Sequence, residues 1–292
     1  MKDQFNKGLL LTSLGSFWWG FIGVIYFQYV SFIGHIELVV HRCLWTAVML
    51  LLTTTFFSKW SLFKKIIKNK DYLFGLFISG FLIFINWAVW IYAVATERII
   101  DASFGYFIMP IISVLLGYIF FKEKLNKKRI FSIILVSISI LILIFFNLKS
   151  LPWVGLIVAF SWAFYNLIRK KIDVDTDIGL LIESLYILPF ALVVFYLITK
   201  AGVNDFSFSN PGLSLFLILA GPMTVIPLFL YVRGVELIGL GPTGMIFYIT
   251  PTLQFILGYF YYNEDFSIIK FVSFIIIWIA VIIYLKDLYE TN

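Results

Sequence analysis

Glu37, His41 and Arg42 stand close together in a run that is otherwise apolar. An ionised group near the centre of a bilayer costs about 2.5–3.5 kcal/mol on insertion scales, so such groups seek partners or water. Glu37 and His41 are separated by one helical turn and share a face, with Arg42 beside it, which predicts that this helix lines a cavity. The chemistry on offer is recognition. The arginine fork matches a carboxylate, phosphate or nitro group, and a glutamate can hold an ammonium or carry a coupling proton. Glu37 could instead lie at the outer interface and lock helix packing through a salt bridge. Aromatic side chains supply flat walls: Trp19, Trp87, Tyr106, Trp162, Tyr165 and Tyr248 are candidates for stacking on a ring or holding a cation at about 0.5–2 kcal/mol per contact. Asn86 and Gln254 add amides. Buried Asn86 must be hydrogen-bonded, either to solute or between helices. Pro110 and Pro251 each remove a backbone hydrogen bond at depth and are candidate hinges.

The elements that would position these residues follow from composition. Of 292 residues, 62% are hydrophobic and 13% charged, with a mean hydropathy of +1.00, against roughly 25% charged in an ordinary soluble domain. Continuously apolar runs rich in Leu, Ile and Phe predict an all-α integral membrane protein of ten transmembrane helices, near 8–31, 36–57, 72–95, 102–121, 129–147, 153–169, 178–199, 213–233, 242–261 and 267–285. A β-barrel would need short alternating segments. The first run is too long for a secretory signal, and Gly34-His35-Ile36 offers no cleavage site. Seventeen Lys and Arg fall in segments on one side and four (Arg98, Lys149, Lys200, Lys270) on the other. By the positive-inside rule this predicts both termini in the cytoplasm and a multi-pass protein of the inner membrane. The net charge of +6 is thereby used in orientation, and nucleic acid is not expected as a partner. Arg169-Lys170-Lys171 is read as snorkelling at a helix end.

Shifting the chain by 141 residues places Gly80 on Gly221, Pro110 on Pro251, Gly117 on Gly258, Tyr118 on Tyr259 and Glu123 on Glu264. Upstream the offset becomes 143, where Phe17 and Trp19 fall on Phe160 and Trp162. Two five-helix halves, 1–147 and 152–292, follow. An odd number of spans per half turns the second upside down, giving the inverted repeat of secondary transporters with a site near midplane. Glu183 then falls at the pseudo-symmetric depth of Arg42, which predicts an Arg42–Glu183 pair or a shared clamp suited to a zwitterionic or cationic metabolite. Glu123 and Glu264 are read as plain helix-terminal residues.

Several strings carry a family likeness. Trp19-Gly20, Glu37 with His41-Arg42, Asn86-Trp87 and Ser103-Phe104-Gly105-Tyr106 running to Pro110 occur in the first half. Leu151-Pro152-Trp153, Tyr165 with Arg169-Lys170, Gly179 with Glu183, Thr224 with Pro227-Leu228, and Tyr248-Ile249-Thr250-Pro251-Thr252 occur in the second. Over essentially the full chain this resembles the RarD-type branch of the EamA drug/metabolite transporters. The resemblance implies ten helices, cytoplasmic termini and movement of small metabolites or drugs; some members are described as chloramphenicol-sensitivity proteins. Ala88 and Met109 stand where that pattern commonly has Gly and Asn.

The expectation is therefore a secondary active or facilitative transporter working by alternating access. Its partners would be a small solute and membrane lipid, joined by a coupling ion where transport is ion-driven, with no cofactor and no metal: two histidines and a single cysteine do not build a zinc site. No phosphate-cradling G-x-x-x-x-G-K-[ST] string is present to drive a pump with ATP. The competing class is an intramembrane enzyme using Glu37 and His41 as an acid–base pair, or a membrane sensor. No nucleophile motif accompanies that pair.

Overall fold

A computed structural model describes residues 2–95, 99–147, 153–172, 174–261 and 268–291. The side chains of Ser103 and Glu264, the cations Arg98 and Lys149, and the expected junction between halves at 148–152 lie outside what it describes. Among the described residues all regular structure is helical. Helices are what an apolar chain must form in hydrocarbon, because every backbone N–H and C=O is satisfied within the segment.

The first path is α1 (Lys2–Phe17), a π-helical turn (Trp18–Ile22) and α2 (Gly23–Tyr29). There follow α3 (His35–Phe56), a short α4 (Trp60–Ile66), α5 (Lys70–Ala95), α6 (Ile99–Phe121), α7 (Lys127–Asn147), α8 (Trp153–Lys171), α9 (Thr176–Ala201), α10 (Pro211–Ile238), α11 (Leu240–Ile246), α12 (Ile249–Phe260) and α13 (Ile268–Thr291). Among the described residues seven segments are long and apolar enough to cross a membrane: Asp3–Tyr29, His35–Phe56, Lys70–Trp90, Lys127–Phe146, Thr176–Ala201, Pro211–Ile238 and Ile268–Thr291. The other three expected spans are helical but differently built. The run 102–121 lies in α6 around Pro110, 153–169 in α8 ending on three cations, and 242–261 is broken between α11 and α12.

That break has a local cause. Proline lacks an N–H and its ring crowds the carbonyl four residues back, and for Pro251 that carbonyl belongs to Phe247, where α11 stops. Pro110, its counterpart, sits inside a continuous α6, so the two prolines are not used alike. The π-helical turn was not foreseen. There Gly23 N–H returns to Trp18 C=O, and the widened backbone presses Gly20 onto α12 so closely that a Cβ would lie 2.8 Å from Thr250 O.

Helix pairings are specific: α6 with α8, α1 with α10, α5 with α8, α7 with α13, α3 with α9 and α10, α5 with α9, and α6 with α11. The main apolar core lies between them, drawing in Trp87, Trp162, Tyr165, Tyr231 and Phe247. Large apolar side chains such as Phe56, Phe145 and Phe190 point outward, a distribution that suits lipid rather than water.

Candidate functional site

The π-helical turn aims Trp19 into the centre of the molecule, where its ring meets Trp162 of α8 at 5.1 Å between centroids, nearly perpendicular at 80°. Edge-to-face contact is the favoured geometry of aromatic pairs. Tyr231 of α10 and Phe247 at the α11–α12 break close the group, 5.7 and 6.2 Å from Trp19. Tyr106 of α6 stacks on Phe247 at 5.8 Å and Tyr165 on Trp162 at 5.7 Å. Both expected tryptophans are thus together, at positions the repeat relates. Tyr231 and Phe247 were missed because nothing in their neighbourhood separates them from lipid-facing aromatics. Tyr248 donates its hydroxyl to the carbonyl of Phe107, 2.8 Å away and 141 residues earlier, which ties the broken element to α6. Gln254 is half-buried on α12.

Two charged centres flank this cluster. Arg42 of α3 is 7% exposed. Its Nε donates to Thr224 Oγ1 at 3.2 Å, and its guanidinium lies 4.9 Å from the Phe27 ring and 4.8 Å from the Trp87 ring. Glu183 of α9 is buried elsewhere and is not the ion partner of Arg42. Its carboxylate accepts from Ser79 Oγ at 2.5 Å and Tyr165 OH at 3.2 Å and lies 3.5 Å from Arg169 Nε. The direct Arg42–Glu183 pair is therefore replaced by Arg169–Glu183. Arg169 does not snorkel: it is fully buried, its Nη2 donates to Thr176 O, and Glu236 lies 3.9 Å away. Gly179 is small to make room for it, since a Cβ there would overlap the guanidinium. The position of Arg169 beside two lysines hid this, because a helix-end cation ordinarily reaches water.

Trp87 links the two centres. It stacks on Arg42 and, with Thr46, Ile83, Glu183, Ser184 and Leu228, lines an internal cavity of about 10 Å³, roughly the space of one water. Thr46 Oγ1 is buried there without a protein partner. Asn86, the neighbour of Trp87, is turned away: its Nδ2 donates to Val158 O at 2.9 Å and Ser161 Oγ at 3.0 Å and bridges α5 to α8.

Glu37 and His41 sit together, 3.4 Å apart, and each has a partner in the protein. The Glu37 carboxylate accepts the backbone N–H groups of Asp205 and Phe206 at 2.9–3.0 Å, fastening the segment between α9 and α10. His41 Nδ1 accepts from the Trp45 indole at 3.1 Å, so the ring proton is on Nε2, 3.4 Å from Glu37. Glu123 is more than a helix end. It accepts the N–H groups of Leu240 and Gly241 at 2.8 and 2.9 Å, anchors the start of α11 and lies 3.5 Å from Lys170. Among the described residues no group of three or more His, Cys, Asp or Glu could hold a metal.

An architecture of this kind has known counterparts. The EamA-like transporter family profile matches twice, over residues 6–145 and 150–286. Protein RarD of Escherichia coli is 33% identical over 289 residues, covering 99% of this chain and 97% of that protein. The uncharacterized transporter YojE of Bacillus subtilis is 33% identical over 283 residues, 96% and 93% of the two chains. A Pseudomonas aeruginosa protein described as chloramphenicol-sensitive protein RarD is 24% identical over 253 residues, 85% and 83%. A solved crystal structure superposes with a TM-score of 0.73 at 11% identity, covering 96% of this chain and 97% of its own, which shows a shared fold. The chain is a multi-pass membrane transporter of the EamA-like family, in its RarD-type branch.

Proposed function

We propose that the protein carries a small polar or amphipathic metabolite or drug across the inner membrane by alternating access. Ten crossings form two inverted five-helix halves, 1–147 and 152–292, with both termini in the cytoplasm. One observation carries the reading. Exchanging α1 and α2 with α8, α3 with α9, α5 with α10, α6 with α11 and α12, and α7 with α13 turns the helix pairings into one another. Under that exchange α1–α10 becomes α8–α5, and α3–α10 becomes α9–α5, while α3–α9, α6–α11 and α7–α13 return to themselves. Repeat-equivalent residues also meet, as Trp19 meets Trp162 and Phe107 meets Tyr248. Two-fold related halves that touch along a central seam can rock about a fixed site.

The solute is taken between Trp19, Trp87, Tyr106, Trp162, Tyr165, Tyr248 and Gln254, with Arg42 and Glu183 as the charged groups to either side. Asn86, Glu37 and His41 hold the helices that form it. The broken element at Phe247–Tyr248, with Pro251, and the proline of α6, Pro110, are the hinges. The driving force is the solute's own gradient, an ion gradient or exchange.

The test needs no substrate. In a Cys43→Ala background, Phe247→Cys and Trp19→Cys are reacted with a membrane-impermeant thiol reagent applied to either face of oriented vesicles. Alternating access predicts reaction from both faces, each suppressed when the opposite face is locked by a cross-link. Reaction from one face only, or from neither, refutes it.

A further inference from the structure

We infer that Arg42 is an oxyanion-binding site and that the solute carries a carboxylate or comparable oxyanion on an aromatic or apolar body. The assignment rests on the transporter reading above only for what happens after binding.

Charge distinguishes Arg42 from the other buried ionisable groups. Each buried acid seen among the described residues already has partners. Glu37 holds backbone amides, Glu183 holds Ser79, Tyr165 and Arg169, and Asp287 holds Asn126 and Arg129 at 2.6 and 2.8 Å. Arg42 has none of them: among the described residues no carboxylate lies within 4.0 Å of it, and the titratable groups that act on it are Cys43, Tyr106 and Tyr26. These are neutral in ordinary conditions. A single neutral hydroxyl, Thr224 Oγ1, takes its Nε. Its two terminal nitrogens donate to nothing in the protein among the described residues.

A guanidinium in a low-dielectric site without a countercharge is expensive, and arginine stays protonated rather than shed its proton. The countercharge that the described residues do not provide is supplied by the solute. The planar fork then sets the kind of group, since two parallel N–H donors match two oxygens of one oxyanion. Phe27 and Trp87 against the guanidinium, with Tyr106 close by, set the character of the rest. Glu183 brings its own cation in Arg169, so a purely cationic solute finds no vacant buried acid among the described residues. The zwitterion expected from sequence survives only through its carboxylate.

The test is binding to the purified full-length protein in detergent, read as a shift in its thermal midpoint. The probes share one body: phenylacetate, phenyl phosphate, the neutral phenylacetamide and the cationic phenethylammonium. The expected result is a shift with the two anions and none with the amide or the amine. Arg42→Met weakens the anion effect by at least about tenfold, and Arg42→Lys, which keeps the charge without the fork, falls between. Phenylacetate and phenyl phosphate together separate a carboxylate preference from a phosphate preference. A second, ligand-free readout guards against a variant that merely misfolds: removing an uncompensated cation leaves empty Arg42→Met at least as heat-stable as the parent, whereas a structural ion pair would make it less stable. Equal shifts with the amide or amine, no shift with either anion, or a marked loss of empty-state stability in Arg42→Met overturns the assignment. Binding without flux would sink transport and leave the anion site standing, and labelling from both faces without anion binding would do the reverse.

Discussion

Replacing Glu183 by Gln strands a fully buried guanidinium. Arg169 is 0% and Glu183 2% exposed, and the guanidinium already leaves Nε and Nη1 without a hydrogen bond. Its remaining support is Thr176 O at 3.2 Å and Glu236 at 3.9 Å. Removing one partner of such a pair costs about 3–5 kcal/mol, because what remains is a bare charge in a poor dielectric. The reverse change, Arg169→Gln, leaves Glu183 with the Ser79 and Tyr165 hydroxyls, so it falls at the lower end of that range, about 3 kcal/mol. The joint variant Arg169→Gln/Glu183→Gln leaves no charge behind and costs less than the sum. If the groups were independent the two losses would add to about 6–8 kcal/mol, whereas pairing predicts a coupling of about 2 kcal/mol or more. Reversible unfolding in mixed detergent micelles, followed by tryptophan fluorescence, measures all three variants against the parent. Additive losses, or a Glu183→Gln effect below about 1 kcal/mol, would refute the reasoning.

Further expectations concern close contacts and surface charge. Gly221→Val forces a Cβ to within 2.5 Å of Trp45 O, a backbone atom that cannot step aside, so it should cost about 1–3 kcal/mol in the same unfolding assay. Glu123→Ala releases the two amides that start α11 and should cost about 1–2 kcal/mol, with faster hydrogen exchange at Leu240 and Gly241 than elsewhere in α10 and α11. At the α3–α9 junction Lys59 lies 2.6 Å from Asp177 and 3.4 Å from Asp175. Burial pulls Lys59 down, but the two acids outweigh it and raise it above the usual lysine range. Its contribution is therefore present below about pH 10.4 and lost above, and because the pair is partly exposed Lys59→Met should cost only about 0.2–1 kcal/mol at pH 7. Asp175 is raised by its hydrogen bond to Asp177 and by burial. Folding thus favours its protonated form, a stabilisation lost as pH rises through its folded value. Asp175→Asn should consequently be neutral or stabilising at pH 7, while Asp177→Asn destabilises; the opposite order in a pH series of thermal midpoints would contradict this.

How much of this was legible in the sequence depends on the range of the interaction. Apolar runs declare helices, because hydrocarbon leaves the backbone no other solution within a single segment, and the helices fall where Leu, Ile and Phe accumulate. The break at Phe247–Tyr248 was half legible: Pro251 signals a disturbed helix, yet Pro110 sits in a continuous one, and the difference lies in what each helix packs against. The π-helical turn at Trp18–Ile22 had no signal beyond Gly20. Pairing was least legible. The 141-residue offset sets Glu183 on Arg42, but Arg169 approaches Glu183 from α8, and Gly179 clears the space for it. That choice of partner depends on lateral packing, which a pattern along one helix does not encode. Asn86 and Glu37 are buried polar groups that need partners, and they find them in distant segments: Asn86 on Val158 O and Ser161 Oγ, Glu37 on the backbone amides of Asp205 and Phe206.

The most direct test of the account is an unbiased efflux measurement. Proteoliposomes are loaded with the small-molecule fraction of a bacterial extract, and mass spectrometry follows what leaves them in the presence and absence of an ion gradient. The account predicts that one solute or a small chemically related group leaves faster than from protein-free vesicles, that its members carry an oxyanion on an apolar body, and that Arg42→Met abolishes the difference. An efflux profile indistinguishable from that of protein-free vesicles would contradict it.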